Sequence, residues 1–272
     1  MPYPIHNRAC PKEPQPLLFP YRERRQHFMK TKTLLATLLT LAFFTAGNAQ
    51  TLDKAKLDQF FDRLAEKKKA MGSLTIAKDG NVLYTRAIGY IQINGTEKKP
   101  LTEASRFRIA SITKTYTAVM ILQLVEEGKL KLTETLDKFF PQVPNAQKIT
   151  ILQILSHRSG IPNVRRDQAT WKPGEPVTKD EMLALILKGT PEFEPDTKSS
   201  YSNSGYFLLG LILEKLTGKP YDQALEERIN SRIGLKDTYL ATAPIDVNKG
   251  EALTYFYTGS DWKLNFETHP SI

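Results

Sequence analysis

The chain has 272 residues, 40% hydrophobic and 25% charged, a composition typical of a globular protein with one domain or two lobes. Residues 1–49 hold seven basic and two acidic side chains, so the rest of the chain has 31 basic against 27 acidic, a net charge of +4 out of the total +9. A charge this small and dispersed gives no basis for nucleic-acid binding. The single cysteine, Cys10, and the four scattered histidines form no metal-ligand motif, so we expect neither a metal nor a cofactor.

Residues 29–49 resemble a secretory signal peptide. A basic start at Met29–Lys32 precedes an apolar run, Leu34–Phe44, which is too short to span a bilayer as a finished helix. Gly47-Asn48-Ala49 then provides a small-x-small cleavage site, which leaves Gln50 as the first mature residue. We therefore expect a periplasmic or secreted protein.

Residues 1–28 precede this segment and contain six prolines and a basic run. Because a signal peptide must lie at the N-terminus, we interpret residues 1–28 as a disordered upstream extension from a misassigned start. The alternative is a long cytosolic arm that makes Leu34–Phe44 part of a membrane anchor. In either case the domain itself is expected over residues 50–272.

The elements predicted within residues 50–272 begin with strands, continue through helices and return to strands. Asp79-Gly80 is typical of a hairpin turn between two short strands. Thr178 and Glu181 form a capping-box pattern ahead of a helix. The predicted helices are Leu52–Met71, Ser111–Glu127 (stopped by Gly128), Met182–Leu187, Gly205–Thr217 and Tyr221–Ile233; the predicted strands are Leu74–Lys78, Val82–Tyr84, Arg106–Ala110 and a segment near Tyr255.

Ser111 and Lys114 are separated by one helical turn, which places both side chains on one face of a helix. A serine hydroxyl is a weak nucleophile and needs an adjacent base, which a neutral lysine amine can supply. At a helix N-terminus, Ser111 would also lie beside unpaired N–H groups that favour an oxyanion. Taken by itself, the same spacing favours an N-cap serine followed by a surface lysine.

Tyr201-Ser202-Asn203 supplies a phenol that can relay a proton and an amide that can hold a substrate carbonyl. Taken alone, it also fits a polar turn that caps the next helix. A second Ser-x-x-Lys match, Ser260 to Lys263, lies in a strand-like segment, where residues three apart point to opposite faces. We therefore reject Ser260 as a nucleophile.

His157 follows an apolar helical segment and precedes Gly160. It is a possible catalytic base, but its position favours a histidine that caps the helix or anchors the following loop.

Several segments, in order, resemble the superfamily of class C β-lactamases, D-alanyl-D-alanine carboxypeptidases and related esterases. The first is Phe107–Lys114, which is similar to the nucleophile segment of that superfamily. The later segments with the same resemblance are Glu126–Leu132, Leu136–Pro141, Ile149–Pro162, Tyr201–Tyr206 and Leu208–Tyr221.

The resemblance implies an α+β fold in which an antiparallel sheet, built from both chain ends and flanked by helices, lies beside a helical lobe. It implies a serine hydrolase in which Ser111 is acylated, Lys114 and Tyr201 share the proton transfers, and Asn203 orients the substrate. It also implies that His157 is not the base. The expected partners are small molecules or peptides with an amide, ester or β-lactam carbonyl, including cell-wall peptides.

The sequence departs from the family in one respect. The third motif, Lys or His followed by a small residue and Gly, is absent, and the chain ends at Ile272, where relatives continue into further strands. We expect a domain truncated at its C-terminus, with enzymatic activity in a full-length parent and activity of these 272 residues left open. The alternative function is a non-catalytic module that binds cell-wall peptides and has lost turnover.

Overall fold

The computed structural model describes residues 52–164, 177–241 and 244–265. The predicted extension at 1–28 and the signal peptide at 29–49 lie outside these residues. The helices are α1 (Lys54–Glu66), α2 (Thr113–Glu126), α3 (Ile151–Leu155), α4 (Lys179–Lys188), α5 (Asn203–Thr217), α6 (Tyr221–Leu225) and α7 (Ser231–Ile233). The strands are β1 (Gly72–Lys78), β2 (Asn81–Ile88), β3 (Tyr90–Asn94), β4 (Glu97–Pro100), β5 (Tyr255–Tyr257) and β6 (Trp262–Leu264).

The predicted hairpin is present as β1 and β2, which pair antiparallel around Asp79 and Gly80. Both turn residues have positive φ, 51° and 77°, as a tight hairpin turn between right-twisted strands requires. Helix α1 packs on this hairpin, where the Phe61 ring stacks on Tyr84 with 6.3 Å between ring centroids. The preceding residue, Phe60, is 55% exposed.

The described strands form three separate two-stranded antiparallel sheets, β1–β2, β3–β4 and β5–β6. Segments from both ends of the domain are nevertheless hydrogen-bonded to each other. The N–H of Leu253, just before β5, donates to the carbonyl of Ile91 in β3 at 2.9 Å. The Ile93 N–H likewise donates to the Tyr255 hydroxyl at 2.6 Å. This contact between early and late segments agrees with the expected α+β architecture.

The predicted strand at Arg106–Ala110 is wrong. Arg106 forms an isolated parallel bridge with Glu251, and the residues after it are not assigned to a strand. At Ala110 the backbone turns into the left-handed region, with φ of 44°, which ends any extended run.

Helices α2 and α5 pack in the centre of the main apolar cluster. Helix α5 buries Leu208, Leu209, Ile212 and Leu213, two turns of one face. Helix α2 buries Thr117, Met120, Ile121 and Leu124. Two further apolar residues of α2, Val119 and Leu122, are 41% and 44% exposed.

Helix boundaries follow local capping chemistry. Thr178 and Glu181 form the predicted capping box at the start of α4. Gly128 and Gly218 adopt positive φ where α2 and α5 end. The predicted helix Tyr221–Ile233 is present but contains a π-helical turn at Glu226–Asn230 between α6 and α7.

Among the described helices, none combines the length and apolar character needed to cross a membrane. The same residues contain no group of three or more His, Cys, Asp or Glu side chains that could hold a metal ion.

Candidate active site

Ser111 lies in the 3₁₀ turn Ala110–Ile112, which leads directly into helix α2. The residue before it, Ala110, has φ of 44°, a conformation that side chains other than glycine adopt at a cost. This turn leaves the Ser111 side chain exposed at the entrance to the helix. The hydroxyl is therefore accessible to a substrate.

Lys114 lies one turn later on the same face, as its spacing predicts. Its Nζ donates to Ser111 Oγ at 3.4 Å and to Asn203 Oδ1 at 2.8 Å. It also lies 4.8 Å from the centre of the Tyr201 ring. One amine thus contacts all three of the other predicted site residues.

Tyr201 reaches Ser111 from a position 90 residues later in the sequence, with 2.6 Å between the two hydroxyl oxygens. Either hydroxyl can be the donor. Tyr201 is 38% exposed and lies just before α5, whose first residue is Asn203. The packing of α5 against α2 brings the two motifs together.

Ser202, between the two motif residues, acts as the N-cap of α5. Its Oγ accepts the Gly205 N–H at 3.3 Å, and the residue is 3% exposed. The turn can therefore both cap the helix and take part in the chemistry. Ser202 caps α5, and its neighbours Tyr201 and Asn203 contact Ser111 and Lys114.

His157 lies behind Tyr201, with 4.6 Å between the ring centroids. Its Nδ1 accepts the Ser202 N–H at 3.2 Å. Its backbone is left-handed, with φ of 59°. Burial, followed by the positive charge of Lys114, lowers the pKa of His157 below its ordinary value of 6.5. This geometry agrees with the loop-anchoring interpretation.

Two further residues lie next to the candidate site. Neither of them was predicted as a site residue from the sequence. Asn163 is 7% exposed, and its Oδ1 accepts a hydrogen bond from Asn203 Nδ2 at 3.3 Å. Tyr206 donates from its hydroxyl to the Leu155 carbonyl at 2.9 Å. Burial, and then the neighbouring Tyr201, raise the pKa of Tyr206. Tyr206 lies one helical turn after Ser202, a spacing that could have indicated it.

The second Ser-x-x-Lys match is placed as predicted. Ser260 lies in the turn between β5 and β6, and Lys263 lies within β6. All four predicted site residues, in contrast, lie within one hydrogen-bonded cluster. Such a cluster can exchange protons between a hydroxyl nucleophile and two basic groups, although the catalytic role of each residue stays a prediction.

The α+β fold is shared with known serine hydrolases. The chain belongs to the Beta-lactamase family, whose profile matches residues 57–264.

Individual relatives agree with this family. The chain is 30% identical over 204 residues to Penicillin-binding protein 4* of Bacillus subtilis (strain 168), covering 74% of this chain and 45% of that protein. It is 29% identical over 231 residues to the D-alanyl-D-alanine-carboxypeptidase/endopeptidase AmpH of Escherichia coli (strain K12), covering 79% and 59%. A solved structure of D-amino acid amidase from Ochrobactrum anthropi SV3, complexed with L-phenylalanine amide, matches with a TM-score of 0.62 and 30% identity, covering 73% of this chain and 57% of that chain. The chain therefore spans about half the length of the curated relatives it matches.

Proposed function

We propose that this domain is a serine hydrolase that forms an acyl-enzyme on Ser111 with amide, ester or β-lactam substrates. The observation that supports it most directly is the 2.6 Å separation between Ser111 Oγ and the Tyr201 hydroxyl, with Lys114 Nζ at 3.4 Å from the same Oγ. A nucleophile and its base within hydrogen-bond reach are the geometric requirement for covalent catalysis.

In the proposed acylation, Ser111 Oγ forms a bond to the substrate carbonyl carbon while its proton passes to the Tyr201–Lys114 pair. The carbonyl π electrons move onto oxygen, where the Ser111 backbone N–H stabilises the negative charge. When the tetrahedral intermediate collapses, the bond to the amine or alcohol breaks and the leaving group takes the proton from the same pair. Water then repeats the attack on the acyl-enzyme and frees Ser111.

Asn203 is proposed to orient the substrate. Its Oδ1 is held by Lys114 and its Nδ2 by Asn163, so the amide plane is fixed on both sides. An exchange of the Asn163 bond for a substrate carbonyl would leave the Lys114 contact in place. The peptide and amide substrates named for AmpH and the D-amino acid amidase support a substrate with an amide bond, including cell-wall peptides.

The acyl-enzyme can be tested with a fluorescent penicillin and, separately, an activated ester, followed by intact-mass measurement and peptide mapping. We expect one adduct on Ser111, complete loss of that adduct in Ser111→Ala, and full labelling of Ser260→Ala. An adduct that survives Ser111→Ala, or maps to Ser260, would contradict the proposal.

The alternative is a non-catalytic module that binds cell-wall peptides and has lost turnover. The same experiment separates the two. Folded protein that gives no adduct but binds a peptide ending in D-Ala-D-Ala in a calorimetric titration would support the binding module.

We further propose that the protein is exported, because Lys30 and Lys32 precede the apolar run and Ala49 closes it. When translation starts at Met29, we expect the protein outside the cytoplasm with Gln50 at its N-terminus. N-terminal sequencing of the exported fraction checks this. Retention in the cytoplasm, or cleavage at another residue, would contradict it.

A further inference from the structure

His157 contacts the chain on both sides of Tyr201. Its backbone carbonyl accepts the Ser200 N–H at 2.9 Å, and its Nδ1 accepts the Ser202 N–H at 3.2 Å. Its ring lies against the Tyr201 ring, with 4.6 Å between centroids. The residues immediately before and after Tyr201, and the side chain of Tyr201 itself, are therefore all held by one histidine.

The hydrogen bond to Ser202 requires an unprotonated Nδ1, because a backbone N–H can only donate. Protonation of the imidazole would place two donors face to face at 3.2 Å. The contact is therefore available in the neutral histidine alone.

The groups around the ring also oppose protonation. Burial of the imidazole, which lies beside the Tyr201 and Tyr206 rings, disfavours its charged form, and the positive charge of Lys114 on helix α2 does the same. The neighbouring Arg158 is paired with Asp196, with 2.6 Å between Nε and Oδ1. No acidic partner for the imidazole is present among these groups, so a proton on His157 would be poorly compensated.

We propose that neutral His157 is the positioning residue for Tyr201, and that protonation of His157 withdraws the Tyr201 hydroxyl from Ser111 and blocks acylation in acid. His157 does not touch the substrate in this proposal. It acts through the peptide bond between Tyr201 and Ser202 and through the stacked rings. The kinetic part of this inference rests on the proposed acylation of Ser111.

The sharpest variant is His157→Asn. Asn Oδ1 occupies the same position along the side chain as His Nδ1, so it can accept the Ser202 N–H, and asparagine tolerates a left-handed backbone. It cannot gain a proton in this pH range. His157→Ala removes the acceptor and the stacked ring together, and His269→Asn makes the same chemical change elsewhere in the chain.

The kinetic measurement is the acylation rate with a fluorescent penicillin from about pH 8 down to about pH 5, across the ordinary histidine pKa. The ratio of the wild-type rate to the His157→Asn rate is expected to be constant near pH 8. It should fall by up to about tenfold per pH unit below the pKa of His157, since only the wild type loses its positioning contact. The two proteins differ only at residue 157, so the ratio isolates the contribution of that side chain. His269→Asn should follow the wild type, and His157→Ala should be slower than His157→Asn by about tenfold or more at every pH.

A second measurement does not depend on acylation. NMR titration of the wild type should show the His157 imidazole and the Ser202 amide shifting with one midpoint, and His157→Asn should lose that shift at Ser202. A rate ratio that stays constant through the His157 midpoint measured by NMR, or a Ser202 amide that does not respond when His157 titrates, would overturn the proposal. If no probe acylates Ser111, the proposed function fails, and the NMR titration still decides whether His157 holds this segment.

Discussion

Around helices α2 and α5 the buried apolar residues form one continuous cluster, whereas the segments next to the hairpins share a small one of Ile91, Leu101 and Ala252. Strand β4 is exposed along its whole length. A two-stranded sheet is marginally stable by itself in water, because little apolar surface is removed from solvent. Most of the buried apolar residues that the structure describes therefore belong to the helical region. The hairpins depend for their stability on packing against other elements.

The candidate site lies in the helical region, which is the better packed of the two. Ser111 lies in the turn just before α2 and Lys114 in the first turn of α2, while Tyr201 lies just before α5 and Asn203 is its first residue. The distances among them are consequently set by helix packing rather than by strand pairing. The two Ser-x-x-Lys matches provide the simplest test, since one lies in each region.

The largest expected effect concerns the two lysines of these matches. Lys114→Ala should slow acylation by about 10²–10⁴-fold, because a positioned acid–base group typically contributes that much. Lys263→Ala, within β6, should leave the rate unchanged. Stopped-flow measurement with a fluorescent penicillin checks both rates. Equal effects of the two substitutions would mean that the helical match is no more important for acylation than the match in the hairpin.

The next effect concerns stability. Ile212→Ala removes a side chain that is 0% exposed in the main cluster and should cost about 2–5 kcal/mol of unfolding free energy. Val82→Ala, at a position 62% exposed in strand β2, should change it by about 0.5 kcal/mol or less. Urea denaturation followed by circular dichroism gives both values. A large cost at Val82 would mean that the hairpin contributes more to the cooperative unit than its burial indicates.

The smallest effect compares two threonines that accept backbone hydrogen bonds. Thr178→Ala removes the cap of α4 and should cost about 1 kcal/mol. Thr258→Ala removes an acceptor for the Asp261 N–H in the β5–β6 turn and should cost about 0.5 kcal/mol or less. The same denaturation measurement applies, and a reversed order would show that the late hairpin is the more tightly coupled of the two.

Features with a local cause were readable from the sequence. The capping box at Thr178, the hairpin turn at Asp79-Gly80 and the stop at Gly128 each depend on residues a few positions apart. The proximity of Ser111 and Lys114 has the same local origin, namely one turn of a helix.

Contacts between distant residues were not readable from local patterns, and the approach of Tyr201 and Asn203 to Ser111 and Lys114 was expected only from the family resemblance. The extended-looking run after Arg106 has no strand because strand formation needs a neighbour along its length. Asn163 was missed because its contact with Asn203 joins positions 40 residues apart. The buried face of α2 was also not determined by its own pattern, since apolar residues occur on both sides and the packing of α5 decides between them.

The 90-residue interval between Ser111 and Tyr201 has a consequence for synthesis. At translation rates of about 5–20 residues per second, Ser111 leaves the ribosome several seconds before Tyr201 exists. Throughout that time Ser111 has Lys114 as its neighbour but lacks Tyr201 and Asn203, which join the pair only when α5 docks on α2. The hydrogen-bonded cluster around Ser111 is therefore completed late in synthesis, together with the packing of these two helices.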